Sequence, residues 1–165
     1  MTDGLAIVAY EDEDREAILA ITEAAWGPVF AITETQVPSF VLQTFFPQGW
    51  MPRQLSDVAD LLTQEKDMIW VAKIDGRIAG FVGLRTHHED RMGEIYILAV
   101  SPHFQRHGVA RSLINHSEKV IREMGMHMMM IETIGDDGHE AARLTYEAMG
   151  YSKWPVARYF KPLDP

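Results

Sequence analysis

Val100-Ser101-Pro102-His103-Phe104-Gln105-Arg106-His107-Gly108-Val109-Ala110 joins an apolar stretch to a run of helical periodicity. Upstream, residues 93–100 read as a strand. Downstream, residues 108–124 place Val109, Leu113, Ile114, Val120, Ile121 and Met124 at helical spacing, and Gly125 supplies the stop. At a helix start several backbone N–H groups lack carbonyl partners, and the dipole adds partial positive charge. A phosphate suits such a place. Gly108 and Ala110 keep the surface low enough for a diphosphate to approach the main chain, and Arg106 adds a charge. The stretch has neither the Gly-Lys-Ser/Thr of a P-loop nor the three glycines of a dinucleotide fingerprint. Taken alone, it is also what any tight strand-to-helix connection looks like.

Before this stretch, residues 5–10 read as a strand, followed by the acidic run Glu11-Asp12-Glu13-Asp14. Ile18, Ile21, Ala25 and Trp26 recur at helical spacing, with Gly27-Pro28 as the expected stop. Residues 29–54, broken by Pro38, Pro47, Gly49 and Pro52, suggest one short helix plus loops. Ser56 is the expected N-cap of a helix through about Glu65. Residues 68–74 and 77–86 form a hairpin around Asp75-Gly76, and His87-His88-Glu89-Asp90 reads as a polar loop. After residue 125 come a strand at 126–133, a helix at 139–149 ended by Gly150, and closing strands within 151–161. The expected fold is α/β, with an antiparallel meander at 68–100 and a right-handed crossover through 108–124 to a parallel strand.

With that order in place, Gln105-Arg106-His107-Gly108-Val109-Ala110 resembles the Gln/Arg-x-x-Gly-x-Gly/Ala signature of the GNAT superfamily of N-acetyltransferases. Leu98-Ala99-Val100-Ser101-Pro102 is similar to that family's strand end and turn. Ala142, Tyr146, Gly150 and Tyr151 match the spacing of its later helix. The order of elements agrees over about residues 5–160, and the whole chain, 1–165, reads as a single GNAT domain. The resemblance implies a mixed sheet whose parallel strands at 93–100 and 127–133 splay apart, flanked by helices. It implies acetyl transfer from acetyl-CoA to an amine. The amides of Arg106, His107, Gly108, Val109, Ala110 and Arg111, with Gln105 beside them, would hold the diphosphate. The backbone of Leu98, Ala99 and Val100 would pair with the pantetheine arm like an added strand.

An attacking amine must lose a proton, and the departing thiolate benefits from gaining one. Tyr146 is the candidate donor, since a phenol is protonated at neutral pH; the same residue also fits a buried packing role. Glu94 is the candidate base: on a strand, Glu94, Tyr96, Leu98 and Val100 would share one face. The family resemblance allows either this carboxylate or ordered water, and Tyr96 would position the acceptor. Three residues before Ala142, where the family often has Asn on the cofactor arm, this chain has His139, whose ring nitrogen can replace the amide.

The 165 residues carry no cysteine, which excludes disulfides, thiolate metal sites and a cysteine nucleophile. No Ser/His/Asp triad is evident, so transfer would be direct. His103 and His107 stand four apart without a third ligand, and no metal is expected. The net charge of −9 disfavours nucleic acid and favours cationic partners. No apolar run reaches the roughly 20 residues of a membrane helix, and the acidic N-terminus is unlike a targeting peptide. A cytoplasmic protein without membrane contact is the expectation. The resemblance implies that residues 26–53 and 154–160 shape the acceptor pocket, with Trp26 and Phe30 as candidate lining residues. The resemblance allows a homodimer through the aromatic segment or the C-terminal strands. A non-catalytic acyl-CoA sensor of the same fold is the alternative function.

Overall fold

The structure, a computed structural model, describes residues 4–163. Strand β1 (Leu5–Ala9) is followed by helices α1 (Arg15–Gln36), α2 (Ser39–Phe45) and α3 (Trp50–Gln64). Strands β2 (Ile69–Ile74), β3 (Arg77–His87) and β4 (Met92–Val100) come next, then α4 (Val109–Glu123), β5 (Met128–Ile131) and α5 (Glu140–Ala148). The sheet runs in chain order, β1-β2-β3-β4-β5, antiparallel except for the parallel pair β4–β5. The mixed sheet expected from the sequence is therefore present. At the β2–β3 turn both Asp75 (φ 49°) and Gly76 (φ 74°) take positive φ, the requirement of a type I′ hairpin.

Two apolar layers sandwich the sheet. Ile18, Ile21, Val58, Leu61 and Leu62 of α1 and α3 pack on Ile69, Val71, Phe81, Ile97 and Ala99. On the other face, Val109, Leu113, Ile114 and Ile121 of α4 pack on Ala72, Val82, Leu84 and Ile95. Each fully buried side chain of this size contributes about 1.5–3 kcal/mol.

Strand β4 changes phase within its length. Gly83 pairs with Ile97 and Leu84 with Ile95, so Tyr96 is an extra residue without a partner on β3, a β-bulge. The expectation that Glu94, Tyr96, Leu98 and Val100 share a face fails for this reason. Ile95 joins the α4 layer, Ile97 and Ala99 join the α1/α3 layer, and Leu98 and Val100 return to the α4 layer.

Other expectations also need correction. Helix α1 does not stop at Gly27-Pro28 but runs through Pro28 to Gln36. An interior proline costs about 3 kcal/mol. The second half of the helix offsets this by burial: Phe30 stacks on Trp50 at 4.7 Å, and the Thr33 hydroxyl donates to the buried carboxylate of Asp136. By length and apolar content, the helical stretch 12–36 would suffice to cross a membrane, contrary to the run-length expectation; here Ile18, Ile21, Thr22, Phe30 and Thr33 are buried. Helix α3 begins at Trp50, well before Ser56. Pro52 falls in its first turn, where a missing N–H removes no intrahelical bond. Residues 151–163 form no strand. Pro155 cannot donate to a ladder, and Trp154, Val156 and Tyr159 stay exposed.

Candidate active site

The turn before α4 is built from two left-handed residues, Arg106 (φ 65°) and Gly108 (φ 75°). Gly108 is the N-cap, with no side-chain capping bond and no acidic residue in the first turn. The first amide with an intrahelical partner is that of Ser112, which donates to the Gly108 carbonyl at 3.0 Å. Those of Val109, Ala110 and Arg111 are left to point out of the helix end. A Cβ added at Gly108 would meet no atom within 4 Å, so the approach to these amides is open. Gln105 and His107 fold back on the loop: Gln105 Nε2 donates to the Val100 carbonyl at 3.4 Å, and His107 Nδ1 lies 2.8 Å from the Gln105 carbonyl. Arg106 and Arg111 are exposed and in no ion pair among the described residues. This arrangement fits a diphosphate.

Beside the cradle lies a slot. Parallel pairing of β4 and β5 runs from Met92↔Met128 to Ile95↔Ile131 and stops. Residues 97–100 keep their β3 partners but have none on the β5 side, so one edge of Leu98, Ala99 and Val100 is free. Leu98 and Val100 on one lip and Ile131 on the other pack against the same cluster as Tyr146 and Tyr151. The two tyrosine rings lie 6.3 Å apart and differ in their hydroxyls. That of Tyr151 donates to Glu118 at 2.9 Å. That of Tyr146 has no hydrogen-bond partner among the described residues, and burial pushes its pKa up, which keeps the proton on the phenol.

Glu94 sits on the opposite side of β4, largely covered. Its nearest cation by register is Arg85, directly across on β3. That guanidinium is committed elsewhere: it donates to Glu65 at 2.7 and 3.0 Å and lies 3.4 Å over the Tyr96 ring. The Glu65 carboxyl is held below its ordinary pKa chiefly by these hydrogen bonds. Glu94 instead meets His87, Nε2 to Oε2 at 2.7 Å. The sequence placed His87 in a loop, whereas it ends β3. Counting the antiparallel register back from the 88–91 turn would have brought it near Glu94.

His139 is the N-cap of α5, and its ring is already engaged. Asp136 accepts from the His139 backbone N–H at 3.0 Å and from Nδ1 at 2.5 Å. Its Nε2 has no partner among the described residues. An acid directly before a helical turn is a recognisable cap, and Asp136 stands directly before the turn Asp137–His139. Burial raises the Asp136 pKa, but hydrogen bonds from Thr33 and His139 outweigh it and the net shift is down. Next to it, Gln36 and Asp137 exchange two hydrogen bonds of 2.6 and 3.0 Å. Gly138 lies so close to α1 that a Cβ would stand 2.8 Å from the Val29 carbonyl oxygen. The end of α1 is thereby fastened to the start of α5.

A cleft of about 450 Å³ opens between α2 (Phe40, Thr44, Phe45) and the C-terminal segment (Phe160, Lys161, Leu163). A smaller one of about 250 Å³ is lined by Phe30, Phe46 and Trp50. Trp26 lines neither; it packs partly buried against the α1/α3 core.

The chain matches the model of the acetyltransferase (GNAT) family over residues 35–151. It is 28% identical over 95 residues to the mycothiol acetyltransferase of Nocardiopsis dassonvillei; the match covers 53% of this chain and 28% of that protein. The chain thus spans under a third of the length of that relative. The ribosomal-protein-S18-alanine N-acetyltransferase from Escherichia coli superposes with a TM-score of 0.68 at 19% identity, over 96% of this chain and 84% of that one. PaiA N-acetyltransferase from Thermoplasma acidophilum, in complex with coenzyme A, superposes with a TM-score of 0.68 at 14% identity, over 93% and 92% of the two chains. The chain belongs to the GNAT acetyltransferase family, whose members use acetyl-CoA as acetyl donor.

Proposed function

We propose that this chain transfers the acetyl group of acetyl-CoA directly to a primary amine. The observation that carries the reading is the slot between β4 and β5, with an open amide cradle beside it and an unbonded, protonated tyrosine in the cluster that lines it. The amides around Gly108 hold the diphosphate, the free edge of Leu98, Ala99 and Val100 takes the pantetheine arm, and His139 Nε2 meets that arm where relatives use Asn. The amine nitrogen attacks the thioester carbonyl carbon. A C–N bond forms, the C–S bond breaks, and Tyr146 gives its hydroxyl proton to the departing thiolate. The substrate ammonium first loses one proton to the base position at Glu94, and the second N–H proton, released as the C–N bond forms, returns through water to the Tyr146 oxygen. With no cysteine in the chain, no thiol-borne acyl intermediate intervenes.

The acceptor enters from the α2 side. The larger cleft has an aromatic wall and one lysine, while the chain as a whole is strongly acidic. That combination suits an amine carried on an apolar or aromatic body. The C-terminal segment adds a proposed homodimer contact: Lys153, Arg158 and Lys161 are basic, and Trp154, Val156 and Tyr159 are exposed. Sedimentation of the full chain against one cut after residue 151 decides it.

The deciding experiment is thiol release from acetyl-CoA across polyamines, amino acids, peptide N-termini and aromatic amines. Turnover with one class is expected. Release no faster than hydrolysis for every amine, with acetyl-CoA still bound, would replace this reading with that of an acyl-CoA sensor.

A further inference from the structure

We infer that Glu94 and His87 handle the acceptor's proton as a pair: it enters at the carboxylate and a proton leaves to water from the imidazole. The inference rests on the acetyl transfer proposed above. Glu94 lies next to Ile95, the last residue of β4 paired with β5, and so at the mouth of the slot. His87 stands opposite Met92, farther from the slot. Exposure follows the same direction, with the Glu94 side chain 16% exposed and that of His87 41%. The pair therefore runs from the reaction centre toward solvent.

The choice of partner matters chemically. Arg85 faces Glu94 across the ladder, and a guanidinium there would neutralise the carboxylate permanently, because it does not deprotonate. The structure turns Arg85 away to Glu65 and Tyr96. What remains for Glu94 is an imidazole, the side chain whose charge changes near neutral pH. The other charged groups nearby are Glu65 at the end of α3 and His88, Glu89 and Asp90 in the turn; on β5 the residue opposite Glu94 is Met130, which carries no charge.

The proton count closes. In the ion-paired state the imidazole carries both ring protons and donates Nε2–H to Glu94 Oε2. The free carboxylate oxygen takes the ammonium proton: an N–H bond breaks and an O–H bond forms. Nδ1–H then passes its proton to water. The pair holds as many protons afterwards as before, and exchange with water restores the ion pair.

The test compares His87→Ala, His87→Gln and Glu94→Gln in the full chain with an amine that the wild type acetylates. Both His87 variants should lose on the order of 10- to 100-fold in kcat at unchanged KM for acetyl-CoA. Free imidazole should restore His87→Ala in proportion to its concentration and leave Glu94→Gln unaffected. Wild-type turnover in His87→Gln or absent imidazole rescue would each overturn the inference while leaving acetyl transfer standing. A wild-type chain that turns over no amine would remove the functional reading itself, and this inference with it.

Discussion

Two helices begin where a strand of the parallel pair ends, α4 after β4 and α5 after β5, and the chain treats their N-termini in opposite ways. The start of α4 has no side-chain cap, no acid in its first turn and a glycine beyond which there is empty space. The approach to α5 is filled by the chain's own carboxylates: Asp136 caps the single turn Asp137–His139 that leads into the helix, Glu140 sits in the helix's first turn, and Thr33 and Gln36 fasten that approach to α1. The same electrostatic opportunity is left open at one helix start and is taken up by internal anchoring at the other. The two motifs are therefore not interchangeable: one end leaves its amides open, and the other fastens the helix that carries Tyr146.

The strongest way to break the contrast is to give α4 an acid like that of α5. Gly108→Glu places a carboxylate where the diphosphate belongs, and juxtaposed like charges cost several kcal/mol, on the order of 100-fold or more in affinity. Titration calorimetry should detect no acetyl-CoA binding; retained binding would move the cradle elsewhere. The variant should also lose about 1–2 kcal/mol of stability, because residue 108 sits at φ 75°. Next in size, Tyr146→Phe should lower kcat by roughly 10²-fold while the dissociation constant of acetyl-CoA stays within about twofold. Unchanged turnover would return Tyr146 to a packing role.

The anchoring side is tested by Asp136→Ala, which removes the acceptor of the Thr33 and His139 bonds. Hydrogen bonds to a charged group contribute about 1.5–3 kcal/mol, so urea unfolding should show a loss of that order. The pH dependence has a definite sign. The Asp136 pKa is lowered on folding from its ordinary 3.8, so its contribution is full above that value and is lost as pH falls toward the depressed folded value. The alanine variant should show a flatter stability curve below about pH 4, and an equally steep one would discount the pair. Smallest is Arg106→Gln, an exposed charge worth about 0.2–1 kcal/mol. It should weaken acetyl-CoA binding only a few-fold, and the gap should close as salt is raised.

What the sequence made legible was local chemistry. Asp75-Gly76 declares its turn because both residues tolerate positive φ, and Gly108 and Gly125 bracket α4 for the same kind of reason. Leu98–Val100 and Tyr146 were identified by motif, and the structure puts them around one slot. What stayed hidden depends on partners distant in the chain. Nothing in Gly27-Pro28 announces that Phe30 will find Trp50 or that Thr33 will find Asp136, and those contacts carry α1 past a residue that would otherwise end it. Likewise, alternation along 93–100 gives no sign of an unpaired Tyr96, because the bulge is a property of the pairing with β3. His87 was set aside as a loop residue because the reading stopped β3 one residue too early.

The inserted Tyr96 has a practical corollary. Upstream of it, Glu94 faces the layer opposite Ile95 and α4; downstream, Leu98 and Val100 face the α4 layer. One strand therefore presents side chains to both faces of the sheet within a few residues of the slot. Libraries at 94 and 96 could retune which amine is accepted, and libraries at 98 and 100 which acyl chain is carried, with their effects combining almost independently. Deleting the single residue between them would rotate one set into the territory of the other.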